Sequence, residues 1–129
     1  MTANNPTVAV LGASANRRKY GNKSVRAHLL QGYDVFPVNP HEAEIEGLKS
    51  YPDLASVPVA NLDRITVYLP PQIGIRLLEE IAAKHPKEVW LNPGAESREL
   101  VAKAESLGLP VIQACSIVNV GVVPSDFDD

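Results

Sequence analysis

The stretch best suited to chemistry is Gly12-Ala13-Ser14-Ala15-Asn16-Arg17-Arg18-Lys19-Tyr20-Gly21, which follows the apolar run Val8-Ala9-Val10-Leu11 and leads into a helical pattern. A buried strand feeding a helix start leaves backbone N–H groups and the positive end of the helix facing one point, which suits an anion. Gly12, Ala13 and Ser14 are small enough to let the backbone approach a phosphate closely. Against the pattern G-x-G-x-x-G, Ser14 stands at the second glycine and Arg17 at the third, so the dinucleotide fingerprint is broken. No G-K-[ST] follows at the spacing a P-loop requires.

The end of the second strand reads Val38-Asn39-Pro40, with no carboxylate to hold the ribose hydroxyls of NAD. Arg17, Arg18 and Lys19 place three positive charges beside the phosphate cradle. They read either as a solvated basic turn or as the seat of a ligand with more phosphate charge than NAD, such as NADP or coenzyme A. A phosphate monoester alone carries about −1.5 to −2 charges. Two or three charge-assisted hydrogen bonds gain roughly 3–9 kcal/mol gross, and association costs at least about 4 kcal/mol. Tight binding therefore also requires burial of the ligand's apolar parts.

The elements that must position this loop are legible from local pattern. Short apolar runs at 8–11, 35–38, 65–69, 88–91 and 111–112 read as strands. Helical spacing appears at Val25, Leu29 and Leu30, with Gly32 placed as a left-handed cap, and again at Leu100, Ala104 and Leu107 before Gly108. Ile73, Leu77 and Ile81 form one apolar stripe, with Glu79, Glu80 and Lys84 turned outward. Pro37 is awkward in a strand because it donates no ladder bond, and predicts a bulge or an unpaired edge. His41 to Asn61 is irregular, with a short helix opening at Pro52.

Alternating strands and helices imply βαβ units: an α/β, Rossmann-like, doubly wound, mostly parallel sheet of five strands with helices on both faces. The 129 residues fit a single domain, with residues 1–6 and 125–129 as flexible ends. A net charge of −3 argues against nucleic acid as the main partner. No secretory signal or apolar run long enough to span a bilayer is visible, so the expected compartment is the cytoplasm. One cysteine excludes an intramolecular disulfide and a multi-cysteine metal site.

In sheets of this type the ligand crevice lies outside the carboxyl ends of the strands. That rule selects the first loop, Val38-Asn39-Pro40, Leu69-Pro70-Pro71, Asn92-Pro93-Gly94 and Ala114-Cys115-Ser116. Cys115 reads either as an inert thiol at a strand end or as a partner for a mixed disulfide with a ligand thiol. His28, His41 and His85 lack any partner pattern that suggests catalysis.

Val8-Ala9-Val10-Leu11-Gly12-Ala13-Ser14, Gly32-Tyr33-Asp34-Val35-Phe36-Pro37-Val38-Asn39-Pro40 and the Pro70-Pro71 strand stop resemble the small stand-alone coenzyme A-binding proteins, which are related to the N-terminal domain of the succinyl-CoA synthetase α subunit. The resemblance runs from about Thr7 to Gly121. It implies that Gly12, Ala13, Ser14, Asn16, Arg17 and Arg18 hold phosphate, with Val38, Asn39 and Pro40 on the adenosine side. It implies that Leu69, Pro70, Pro71 and Ile73 neighbour the adenine. Asn92, Pro93, Gly94 and Cys115 would then lie toward the pantetheine arm. The synthetase's phosphorylated histidine belongs to a following domain. Relatives also tend to carry proline after the cysteine and a carboxylate a few positions on, where this chain has Ser116 and Asn119. The implied function is binding of coenzyme A or an acyl-CoA without catalysis, as a small-molecule ligand, with no metal and no membrane or nucleic-acid partner. The alternatives are an NADP-binding oxidoreductase-type domain and an interaction module without a ligand.

Overall fold

The computed structural model describes residues 5–128. Its main sheet holds β1 (Thr7–Leu11), β2 (Asp34–Val38), β5 (Arg64–Val67), β6 (Glu88–Leu91) and β7 (Val111–Gln113) in the order β2-β1-β5-β6-β7, every pair parallel. Between them lie α1 (Tyr20–Leu30), α2 (Pro71–Gly74), α3 (Leu78–Ala83), α4 (Arg98–Ser106) and α5 (Ser116–Asn119). A two-stranded ribbon, β3 (Glu44–Ile45) and β4 (Leu48–Lys49), sits apart from the sheet. This is the expected Rossmann-like architecture. Its strand order reverses direction at β1 and β5, which makes the gap between their carboxyl ends the topological switch point.

Alternation along the strands sorts the core into two layers. Ala9 and Leu11 of β1 join Ile65, Val67, Val89 and Leu91 under α3 and α4, packed against Leu78, Ile81, Leu100 and Ala104. Val8 and Val10 point the other way, toward Val25 of α1 and Ile45 of β3. Helices α1 and α4 both end where glycine was expected. Gly32 and Gly108 adopt φ of 86° and 73°. Tyr33 N–H to His28 C=O and Leu109 N–H to Ala104 C=O close the two left-handed caps.

Several local expectations are corrected. Pro37 makes no bulge, because the β1–β2 register runs unbroken from Thr7↔Asp34 to Leu11↔Val38. It does lie on an edge strand, and its carbonyl turns outward to accept from Tyr51 N–H at 2.9 Å. The stripe on 71–83 is rotated: Gly74, Leu78 and Ile81 are buried while Ile73 is exposed. A 3-10 turn at Ile75–Leu77 separates α2 from α3, and its tighter winding advances the apolar face. Lys84 is drawn inward to donate to the carbonyls of Val57 and Val59. Leu29 and Leu30 are exposed on α1, whose buried face is Gly21, Asn22, Lys23, Ser24, Val25, Ala27 and His28.

The last described residues lie against α1. Pro124–Phe127 forms a 3-10 turn docked on α1, where Arg26 donates to the Phe127 carbonyl at 2.9 Å and stacks over its ring. Lys23 pairs with Asp128 at 2.5 Å. At the other end Asn5 bonds Asp34, and the Pro6 carbonyl accepts from Asp34 N–H. The remaining terminal positions, 1–4 and 129, lie outside the described residues. No helix among the described residues is long and apolar enough to cross a membrane.

The layer between α1 and strands β5 and β6 is polar at its base. Arg64, 5% exposed, bonds Glu88 at 2.8 Å and Asn119 at 2.7 Å, and its guanidinium stacks on Trp90 and Tyr33. His28 is fully buried beside it, with Nδ1 2.8 Å from the Ser24 carbonyl and Nε2 3.4 Å from Arg64 Nη1. Burial, aided by the Arg64 charge and only partly offset by the Ser24 carbonyl, pulls the His28 pKa down to about 4. The unfolded chain, with an ordinary histidine near 6.5, therefore binds more protons between those values, and stability falls as pH drops from about 6.5 to about 4. Urea titrations across this window should show a loss on the order of 3 kcal/mol from this residue. His28→Phe should flatten that slope.

Candidate functional site

A cavity of about 890 Å³ opens at the carboxyl ends of β1, β2, β5 and β6, over the switch point. Its floor is Leu11, Gly12, Ala13 and Ser14, flanked by Val38-Asn39-Pro40-His41 on one side and Tyr68-Leu69-Pro70 with Pro93-Gly94-Ala95 on the other. Lys19, Tyr20 and Gly21 bring in the first turn of α1. Pro52, Asp53 and Leu54, with Ile73, Leu77 and Glu80, close the side under α3.

Two glycines fix how closely the floor meets its neighbours, Gly12 against the residues after β5 and Gly21 against α1's own approach to the floor. Gly12 has φ of 86°, and a Cβ there would stand 2.9 Å from the Tyr68 carbonyl oxygen. A Cβ on Gly21 would fall 2.1 Å from the Gly12 carbonyl oxygen. Gly21 therefore does what the third glycine of a dinucleotide loop does, letting the helix pack closely on the strand end. It escaped the sequence pattern because the loop is longer than the pattern allows.

The loop's own side chains use up much of its hydrogen-bonding capacity. Ser14 Oγ accepts from Asn16 N–H and Asn16 Oδ1 accepts from Arg18 N–H, each at 3.0 Å, and Lys19 N–H donates to the Asn16 carbonyl. The backbone N–H groups of Tyr20 and Gly21 make no hydrogen bond among the described residues. They stand at the positive end of α1, on the cavity wall.

Of the residues singled out in the sequence, Gly12, Ala13, Ser14, Val38, Asn39, Pro40, Leu69, Pro70, Ile73, Pro93 and Gly94 line this one cavity. Asn16, Arg17, Arg18, Pro71, Asn92 and Cys115 do not. Arg17 turns away to pair with Glu46 at 2.6 Å. Glu46 occupies the tip of the β3–β4 turn at φ of 51° and also accepts from Asn22 Nδ2 at 3.0 Å. Burial raises the Glu46 pKa, but the Asn22 and Arg17 bonds outweigh it and hold the carboxyl below its ordinary value. Arg18 is exposed and immediately precedes Lys19, which lines the cavity. Cys115 is half-buried just before α5.

The two asparagines act as clasps. Asn39 Nδ2 donates to the Ala13 carbonyl at 2.9 Å and its Oδ1 accepts from His41 N–H at 2.7 Å, joining the β1 and β2 ends. Asn92 is buried, donating to Thr66 Oγ1 at 2.6 Å and the Val67 carbonyl at 2.9 Å, and accepting from Ser116 N–H at 2.9 Å. Ser116 Oγ lies 2.7 Å from Thr66 Oγ1 and 3.1 Å from the Tyr68 hydroxyl. Burial pushes the Tyr68 pKa up despite these bonds. Lys19, Tyr20, Gly21, His41, Pro52, Asp53, Leu54, Tyr68, Leu77, Glu80 and Ala95 also line the cavity. Tyr20 and Gly21 end the loop already singled out, whereas the sequence marks Pro52 as a helix start, Leu77 as part of an apolar stripe and Glu80 as outward-facing, none of them as a site residue.

A family model described as CoA binding domain matches residues 6–121. The chain belongs to the CoA-binding domain family. The acetate–CoA ligase (ADP-forming) I of Archaeoglobus fulgidus is 30% identical over 115 residues, a match that takes in 81% of this chain and 17% of that protein. Subunit alpha of acetate–CoA ligase (ADP-forming) II from Pyrococcus furiosus is 29% identical over 118 residues, covering 81% of this chain and 25% of the subunit. The CoA-binding domain described here thus spans a quarter or less of the length of these curated relatives. Among solved structures, a conserved hypothetical protein from Pyrococcus furiosus superposes with a TM-score of 0.80 at 36% identity, covering 88% of this chain and 98% of that one.

Two substitutions separate the cavity floor from its supports. Gly21→Ala should lower stability by about 2–3 kcal/mol, since the Gly12 backbone must shift to admit the methyl group. Asn92→Ala should cost about 2–3 kcal/mol by orphaning buried partners on β5 and α5. Chemical denaturation checks both. A ligand affinity for folded Asn92→Ala within a factor of about two of the parent would agree with a purely supporting role for Asn92.

Proposed function

We propose that this chain binds coenzyme A or an acyl-CoA in the switch-point cavity and performs no chemistry on it. The observation that carries this reading is the seat at the first turn of α1. There the unspent N–H groups of Tyr20 and Gly21, next to Lys19, meet a small-residue floor in a cavity of about 890 Å³. Such a seat suits a pyrophosphate. The apolar walls supplied by Leu54, Leu69, Ile73 and Leu77 suit the parts of the ligand that phosphate contacts cannot hold. Arg18 is exposed in the same basic loop, one residue before Lys19. The relatives named as CoA ligases agree with this ligand class.

Support for a binding role without turnover comes from what the wall residues are doing. Ser14 Oγ is engaged with a backbone N–H, and the Tyr68 hydroxyl is tied to Ser116 with its proton held by burial. His28 lies with Arg64 at the amino end of the sheet, away from the cavity.

Calorimetric titration should show heat with coenzyme A and none with NADPH, and acyl-CoA should remain intact on prolonged incubation. No heat and no thermal shift at millimolar coenzyme A would overturn the reading. Lys19→Ala should weaken binding about tenfold, the scale of one charge-assisted hydrogen bond. Arg18→Ala should weaken binding of coenzyme A more than binding of its 3′-dephospho form. Equal losses would place Arg18 on the pyrophosphate instead.

A further inference from the structure

The cavity is electrically lopsided. Lys19 and the start of α1 make one end positive, whereas the end beneath α3 carries Asp53 and Glu80 among apolar side chains. The two ends lie over opposite faces of the sheet, since α1 packs on the Val8 side and α3 on the Ala9 side. Asp53 is already committed as a helix cap, its Oδ1 accepting from Ser56 N–H at 2.9 Å and Ser56 Oγ at 2.6 Å. Glu80 is not committed. It is half-buried, and no hydrogen bond or ion pair engages its carboxylate among the described residues. Basic residues stand one turn away on either side, yet both bond elsewhere. Arg76 donates to the Gln72 carbonyl, and Lys84 to those of Val57 and Val59.

An uncompensated carboxylate on the wall of a site for a polyanion repels phosphate, so that end must take another part of the ligand, and one that offers an N–H. We propose that Glu80 is a specificity residue that accepts a hydrogen bond from the exocyclic amine of the adenine base. This rests on the reading that the ligand is coenzyme A. The 3-10 turn at Ile75–Leu77 brings Leu77 and Glu80 to the cavity together with Ile73, so the glutamate borders an apolar stripe on that wall. With Leu54 and Leu69 facing the same space, the stripe provides a slot for a flat aromatic ring with an acceptor at its edge. A purine bearing a carbonyl in place of the amine would set its lone pairs against those of Glu80.

The test compares coenzyme A with its hypoxanthine analogue, by calorimetry, on the parent chain and on Glu80→Gln. The parent should prefer coenzyme A by about tenfold or more, as expected for a hydrogen bond to a charged group. Glu80→Gln should narrow that preference to within about threefold, because the amide can donate to the new carbonyl. The same narrowing should appear with adenosine 3′,5′-bisphosphate and its hypoxanthine counterpart, which lack the pantetheine arm. An unchanged ratio in Glu80→Gln, or a parent that binds both bases equally well, overturns the assignment and leaves coenzyme A binding intact. An effect confined to the full-length ligand also overturns it, by placing Glu80 on a pantetheine amide. If the parent gives no heat with coenzyme A at all, the ligand reading falls, and this assignment with it.

Discussion

The approach of Gly21 to the Gly12 carbonyl is the constraint around which the cavity is arranged. With a Cβ position only 2.1 Å from that oxygen, no other residue fits without moving backbone. The contact brings the first turn of α1 down onto the end of β1, so the helix's unspent N–H groups open directly onto the floor at Gly12 to Ser14. Asn39 then ties Ala13 to the end of β2, and the cap of polar side chains at Ser14 and Asn16 holds the rest of the loop. A ligand phosphate would meet a surface already in place, which lowers the ordering cost of binding.

The opposite wall is held by hydrogen bonds rather than by apolar packing. Asn92, Thr66, Ser116 and Tyr68 form one buried network linking β5, β6 and α5. Nearer the amino ends of the same strands, Arg64 gathers Glu88, Asn119 and His28. Burial raises the Glu88 pKa, but its bonds to Trp90 and Arg64 bring it below the ordinary value, so the carboxylate stays ionised at neutral pH. Satisfied polar networks of this kind define one arrangement of their members and penalise others. Most of the residues that α1 buries on this face are small or polar, with Val25 as its one large aliphatic side chain there.

The five strands and the long helices α1 and α4 were legible because each carries its signal locally: an unbroken apolar run, or a helical stripe ended by glycine. What local pattern missed were elements too short to have a period. The two-residue strands β3 and β4 and the four-residue α5 exist through their tertiary partners. On 71–83 the stripe was visible but its direction was not, since a 3-10 turn rotates it and sends Leu77 and Glu80 to the cavity. In the candidate site, rules about strand ends led to the right rim, and most of the small and proline residues named there do line the cavity. They could not reveal that Asn92 is a buried clasp or that Arg17 is held by Glu46. A polar side chain's role is set by neighbours distant in sequence, and Glu46 lies 29 residues from Arg17.

Both margins of the sheet are blunted. On the β2 side Pro37 withholds one donor, while its carbonyl accepts from Tyr51 N–H and the Tyr51 carbonyl accepts from Asn39 N–H, so an incoming chain finds little to pair with. On the β7 side the margin is three residues long and begins after Pro110. A parallel sheet open at both ends is exposed to stacking with its own copies, and these devices remove the template for it. Crowding many copies of this molecule together should therefore not zip sheet onto sheet, and the rim where the strands finish stays clear for small molecules to reach.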